Sequence, residues 1–80
     1  MTLLERAKKI RLPAGRVDEL REQVNSWTSI NFYLTSWSLA EVEKAIWIET
    51  EGMNRRRVLR RLLSRKNTLQ KEQDQVDVGI

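Results

Sequence analysis

The chain has 80 residues with 15 basic and 11 acidic side chains, which gives a formal net charge of +4, and it contains neither cysteine nor histidine. A chain of this length forms one domain at most and buries only about 60–65% of its unfolded surface, so we expect marginal stability. The absence of cysteine excludes disulfides and cysteine-based metal sites, and the absence of histidine removes the usual general base and the commonest metal ligand. We therefore predict a binding protein that is not an enzyme, with no cofactor, no metal and no small-molecule substrate.

The apolar runs are far shorter than the roughly 20 residues that a membrane-spanning helix requires. The N-terminal stretch MTLLERAKKIRL is charged and lacks the apolar core and small-residue cleavage site of a signal peptide. These patterns predict a cytoplasmic protein with no membrane partner.

Two short helices are predicted in the first third of the chain. Thr2 and Glu5 fit a capping box, apolar residues follow at helical spacing, and a proline-alanine-glycine sequence ends this first helix. The second helix begins near Arg16 and ends near Asn25 or Trp27, with a narrow apolar stripe along one face.

Residues 28–37 carry conflicting signals. Ile30, Phe32 and Leu34 alternate with polar residues, which is typical of a strand. Because the chain offers no second convincing strand, we predict a short extended connector over residues 28–37. Pairing of residues 30–34 as a strand across a subunit interface is the alternative.

The third helix has the clearest start signal in the chain. Ser38 and Glu41 form a capping box, flanked by a hydrophobic staple. The helix extends to about Glu51, and Gly52 suits the position after it, where the backbone angle φ is often positive.

A fourth helix completes the predicted fold. Asn54 can cap it, it extends to about Gln70, and it forms a central antiparallel hairpin with helix three. Residues 71–80 are polar and lack an apolar stripe, which predicts a disordered tail. The predicted fold is therefore all-α, a small bundle of about four short helices in one domain over residues 1–70.

The fourth helix carries an arginine ridge. At about 100° per residue, its valine and leucine side chains fall on one face and five arginines fill the opposite face. The ridge consists of Arg56, Arg57, Arg60, Arg61 and Arg65. Helix three has only four acids against seven bases in residues 54–66, so pairing between the two helices cannot neutralise the ridge. We predict that the ridge binds nucleic acid or an acidic protein, and a merely solvated face is the alternative.

Helix three also carries apolar residues away from its core stripe. Ile48 points nearly opposite that stripe, and Trp47 lies on its flank. Tryptophan is a favoured anchor of protein interfaces. We therefore predict that Trp37, Trp47 and Ile48 contact a partner or further copies of the chain. The alternative function that follows is a structural or assembly subunit of a homo-oligomer.

Residues 35–57, TSWSLAEVEKAIWIETEGMNRRR, resemble part of the small head–tail joining (W-type head-completion) proteins of tailed phages. The shared features are T-S-x-S before an acidic amphipathic helix, followed by Gly-Met and an arginine run. Those proteins carry a β-hairpin before this helix, where this chain has only residues 30–34, and their basic end is a tail instead of a leucine-bearing helix. The resemblance implies a phage-encoded subunit of a ring between portal and tail, found in the host cytoplasm or the virion.

Overall fold

The computed structural model describes the backbone of residues 2–78 and the side chains of residues 2–72. Over this range the fold is all-α, as predicted, with one α-helix more than predicted and no strand. A short 3-10 helix follows the third helix. The elements are α1 (Leu3–Lys9), α2 (Arg16–Val24), α3 (Trp27–Tyr33), the 3-10 helix (Leu34–Ser36), α4 (Leu39–Glu51) and α5 (Arg56–Val78).

The first two helices begin where the sequence predicted. The Thr2 hydroxyl accepts a hydrogen bond from the Glu5 amide at 3.2 Å and so caps α1. Gly15 precedes α2 with a φ of 82°, a left-handed conformation that glycine adopts without strain. α2 then turns Leu20 and Val24 into the core.

The predicted extended connector over residues 28–37 is wrong, because α3 and the 3-10 helix occupy this segment. The Ser26 hydroxyl accepts a hydrogen bond from the Ser29 amide at 3.0 Å and caps α3. Ile30 and Leu34 lie one helical turn apart and are fully buried, whereas Phe32 between them points into solvent. The apparent alternation therefore reflects two buried helical positions that flank an exposed aromatic residue.

α4 and α5 form the predicted central hairpin across a short turn over residues 52–55. The left-handed residue of this turn is Asn54, with a φ of 51°, and not Gly52, whose φ is −99°. Glycine is favoured at position 52 for a different reason. A Cβ atom there would lie 3.1 Å from the Ile48 carbonyl oxygen, closer than ordinary van der Waals contact.

α4 is the central helix of the fold, because α1, α2 and α5 all pack against it. Its buried residues therefore lie on several faces instead of one stripe, and they include charged side chains as well as apolar ones. The core that it shares with its neighbours consists of Leu20, Val24, Ile30, Leu34, Trp37, Val42, Ala45, Ile46, Ile48, Val58 and Leu62.

α5 continues to Val78, past the predicted helix end near Gln70. Residues 79–80 lie outside the described range, and the disorder predicted for residues 71–80 in solution stays a prediction. Among the described residues, no helix combines the length and the apolar character needed to cross a membrane.

Candidate anion-binding surface

Two acids of α4 are paired with bases from the first two helices. Glu43 is buried and accepts a hydrogen bond from Arg6 Nη2 at 2.6 Å. Glu41 pairs with Arg16 at 2.5 Å and accepts a hydrogen bond from the Ser38 amide at 2.8 Å, which completes the predicted capping box. Burial raises the pKa of Glu41, but the hydrogen bonds from Ser38 and Arg16 outweigh it and bring the pKa below its ordinary value.

A third acid of α4, Glu49, is paired with Arg55. The Glu49 side chain is 2% exposed, and Arg55 Nε and Nη2 donate to it at 3.0 and 2.8 Å. The same guanidinium donates to the carbonyl oxygens of Val24 at 2.7 Å and Asn25 at 3.1 Å. The hydrogen bonds to Glu49 raise the pKa of Arg55, and burial offsets part of this increase. Arg55 therefore joins α2, α4 and α5 and is not free to bind a partner.

The arginine ridge keeps its positive charge unneutralised. Within the described side chains, none of its five arginines forms a salt bridge, because the acids of α4 that pair do so with Arg6, Arg16 and Arg55. Four members are exposed, and the fifth, Arg65, is half-buried. As expected, the described acids of α4 do not pair with the arginines of the ridge.

Three of the ridge arginines contact α3 and the 3-10 helix at a constant sequence interval of 30 residues. We call these three contacts the arginine ladder. Arg57 Cζ lies over the Trp27 ring, 4.0 Å from its centroid. Arg61 Nε donates to Asn31 Oδ1 at 3.1 Å, and Arg65 Nη2 donates to the Thr35 carbonyl oxygen at 3.4 Å. Because both numbers in each pair rise together, α3 and the first half of α5 lie side by side and run in the same direction.

An open groove of about 520 Å³ follows this ladder, and we call it the arginine groove. Its lining residues are Trp27, Arg56, Arg57, Arg60, Arg61 and Ser64. Arg56 and Arg60 make no hydrogen bond or ion pair with other described side chains, so their guanidinium groups are available. The groove thus combines four exposed arginines with one aromatic wall.

The start of α5 adds to the positive potential of this groove. Helix N-termini carry partial positive charge and usually have acids in their first turn, but α5 has none there and begins with arginines. This arrangement costs stability. Departures from local preference of this kind are expected at functional sites.

The predicted interface residues lie mostly inside the fold. Trp37 is 2% exposed and donates a hydrogen bond from Nε1 to Gln23 Oε1 at 3.1 Å, and Ile48 is 8% exposed. Trp47 is half-buried beneath the cations of Arg21 and Lys44, at 5.9 and 4.5 Å from its ring centroid. Because α4 is surrounded by other helices, its second apolar face packs within the chain, and only Trp47 offers some surface to a partner.

Lys44 is a buried cation that was not among the predicted site residues. Its Nζ donates to the carbonyl oxygens of Ala7 at 3.3 Å and Lys8 at 3.1 Å and so fastens the end of α1 to α4. Burial lowers the pKa of Lys44, and the nearby charge of Arg21 lowers it further. Its role is structural, because its charge points at backbone carbonyls and not into the groove.

Sequence reasoning also missed Trp27 as part of the site. Its position is a consequence of the helical segment, in which residues 27, 31 and 35 follow one another at intervals of about one turn along the face towards α5. The helical spacing of Trp27, Ile30 and Leu34 was the signal that could have revealed it.

The described residues contain no group of three or more acids that could hold a metal ion. Comparisons of the chain with family models, with curated proteins and with solved structures find no match.

Proposed function

We propose that this protein binds nucleic acid through the arginine groove. The observation that carries the proposal is the set of four exposed arginines with no carboxylate partner among the described side chains, grouped along one wall of a groove. Arginine keeps its charge at every relevant pH and presents a planar fork that suits phosphate. Such contacts supply sequence-independent affinity and orient the protein on the strand.

Nucleic acid fits this surface better than an acidic protein does. Arg56 and Arg60 are one helical turn apart and rise by about 6 Å along α5, as do Arg57 and Arg61. Phosphates repeat along every strand, so such a row finds partners wherever it lies on the polymer. An acidic protein would have to present carboxylates in a matching arrangement. The aromatic wall formed by Trp27 adds a surface suited to bases or sugars.

The proposal can be tested by fluorescence anisotropy with labelled DNA between about 50 and 200 mM salt. Four phosphate contacts predict that log K falls with log salt at a slope of about −3.6 for a duplex, from about −0.9 per contact. The double variant Arg56→Gln, Arg60→Gln removes two of these contacts, so its slope should be shallower by about 1.8.

A matched control is the double variant Lys8→Gln, Lys9→Gln on α1, which makes the same change in net charge at exposed positions away from the groove. It should retain the wild-type slope. Equal losses in both double variants would show that net charge alone attracts DNA. No binding to DNA or RNA at low salt, or equal binding to polyglutamate, would contradict the proposal.

The alternative function, a subunit of a homo-oligomer or of a phage head–tail connector ring, has weaker support. Two of the three residues that suggested it, Trp37 and Ile48, are buried within the chain. Light scattering on a sizing column at high micromolar concentration tests it directly, and a stable ring or oligomer would favour it. The phage resemblance and the cytoplasmic or virion location stay predictions.

A further inference from the structure

The most exposed large apolar side chain in the described range is Phe32, at 75%. It lies on α3, opposite the buried Ile30 and Leu34, and its ring contacts Tyr33 edge-to-face with centroids 4.9 Å apart. An aromatic ring this exposed contributes little to the core. It therefore offers a flat apolar surface to a ligand at small cost to the fold.

The two flanks of α3 differ in charge. On the flank that faces α5, Asn31 is adjacent to Phe32 in sequence and accepts a hydrogen bond from Arg61. On the opposite flank, Glu19 and Glu22 of α2 line a shallow depression. A polyanion is attracted to the first flank and repelled from the second. A strand that extends from the arginine groove to Phe32 therefore approaches the ring from the side of α5.

A second stacking surface lies within the groove itself. This surface is the planar guanidinium of Arg57. It lies over the Trp27 ring, with Cζ 4.0 Å from the ring centroid, and the ring holds the guanidinium in place. Nucleic-acid bases stack on aromatic rings and on the planes of arginine guanidinium groups. A duplex hides the faces of its bases, whereas a single strand exposes them. A surface that combines arginines with the exposed ring of Phe32 therefore suits unpaired bases.

Resting on the proposed function, we infer that the preferred ligand of the arginine groove is single-stranded nucleic acid. Its phosphates contact the four exposed arginines of the groove, and one of its bases stacks on Phe32. Stacking of this kind is tolerant of sequence because every base has a flat face, so the inference assigns no sequence preference.

The test compares labelled oligonucleotides of equal length in fluorescence anisotropy at one salt concentration: a deoxythymidine single strand, an abasic single strand and a mixed-sequence duplex. Wild type should bind the thymidine strand at least about 5-fold more tightly than the abasic strand, which keeps the phosphates and lacks the bases. Phe32→Leu, which keeps an apolar side chain without a flat ring, should lose about 5-fold or more on the thymidine strand. Its affinity for the abasic strand should be unchanged.

Two further variants isolate the role of the ring. Phe32→Trp should retain the affinity of wild type, since it keeps a stacking surface. Met53→Ala removes another exposed apolar side chain, 63% exposed in the turn between α4 and α5, and should have no effect. Circular dichroism establishes that each variant is folded.

The outcomes separate the inference from the proposed function. Equal binding of thymidine and abasic strands, equal or tighter binding of the duplex, or no effect of Phe32→Leu would overturn the inference and leave salt-dependent nucleic-acid binding intact. Failure of every oligonucleotide to bind would overturn both.

Discussion

Replacing Arg55 with alanine should destabilise the fold far more than replacing any arginine of the ridge. Glu49 is 2% exposed, and Arg55 is its partner in a bidentate pair. Without Arg55 the buried carboxylate of Glu49 loses its counter-ion, a change that typically costs about 3–5 kcal/mol. At about 0.05–0.15 kcal/mol per residue, the whole domain is stable by only about 4–12 kcal/mol, so this loss is a large fraction.

Urea unfolding followed by circular dichroism and tryptophan fluorescence measures this loss. With a urea m-value of about 1 kcal/mol/M for so small a chain, the midpoint of Arg55→Ala should fall by about 3 M or more. Arg56→Ala is the matched control, because Arg56 is the adjacent arginine, is exposed and has no ion pair with the described side chains. Its loss should change stability by less than about 0.5 kcal/mol.

The double variant Glu49→Met, Arg55→Met distinguishes charge pairing from packing. Replacing both members of a buried ion pair with apolar side chains of similar size is often neutral or stabilising, so this variant should recover most of the loss. A loss below about 1 kcal/mol in Arg55→Ala would refute the reasoning, and so would a double variant less stable than Arg55→Ala.

Leu62→Ala should cost about 2–5 kcal/mol of stability because the Leu62 side chain is fully buried. Leu63 is 39% exposed, so Leu63→Ala should cost less than about 1 kcal/mol. Similar urea midpoints for the two variants would contradict the orientation of α5. Ser38→Ala removes half of a capping box and should lower stability by about 1 kcal/mol, and an unchanged thermal midpoint would argue against the cap. The folded-state pKa of Glu41 lies below its ordinary value of 4.5, so its contribution to stability is complete above pH 4.5 and is lost as pH falls through the folded pKa. Acid titration should therefore destabilise wild type more steeply than Glu41→Gln. The folded-state pKa of Lys44 lies below 10.5. Between the folded-state pKa and 10.5 the unfolded chain binds more protons than the folded chain, so the free energy of unfolding rises with pH in that window. Lys44→Met should lack this increase, and curves of unfolding free energy against pH that run parallel for the two proteins would contradict it.

The features that the sequence predicted are those with local signals. The capping box at Ser38 and Glu41 lies within four residues, and the two faces of α5 follow from helical periodicity alone. A short turn separates Glu49 from Arg55, so their contact is also a local one. Each of these features depends on neighbours in sequence, and the all-α class follows from their sum.

The features that were missed depend on tertiary packing. Residues 30–34 alternate like a strand, whereas the burial of Ile30 and Leu34 against other helices favours α3. Ile48 was predicted to contact a partner because it lies opposite the core stripe of α4. The sequence of α4 does not show how many helices surround it, and these helices bury Ile48. The arginine ladder joins residues 30 apart, so the sequence marked its arginines but not the α3 residues that they meet.

The arginine ladder has a consequence for the entropy of binding. A free arginine side chain carries about 2 kcal/mol of rotamer entropy, which a ligand must overcome when it immobilises the guanidinium. Asn31 donates to the Trp27 carbonyl at 3.0 Å and accepts from Arg61, so α3 holds that guanidinium in place before any ligand arrives. The groove is in this sense preorganised, and part of the ordering cost is met during folding. Its affinity then depends on the order of α3 as well as on charge: Asn31→Ala should weaken binding while the number of counterions released stays the same.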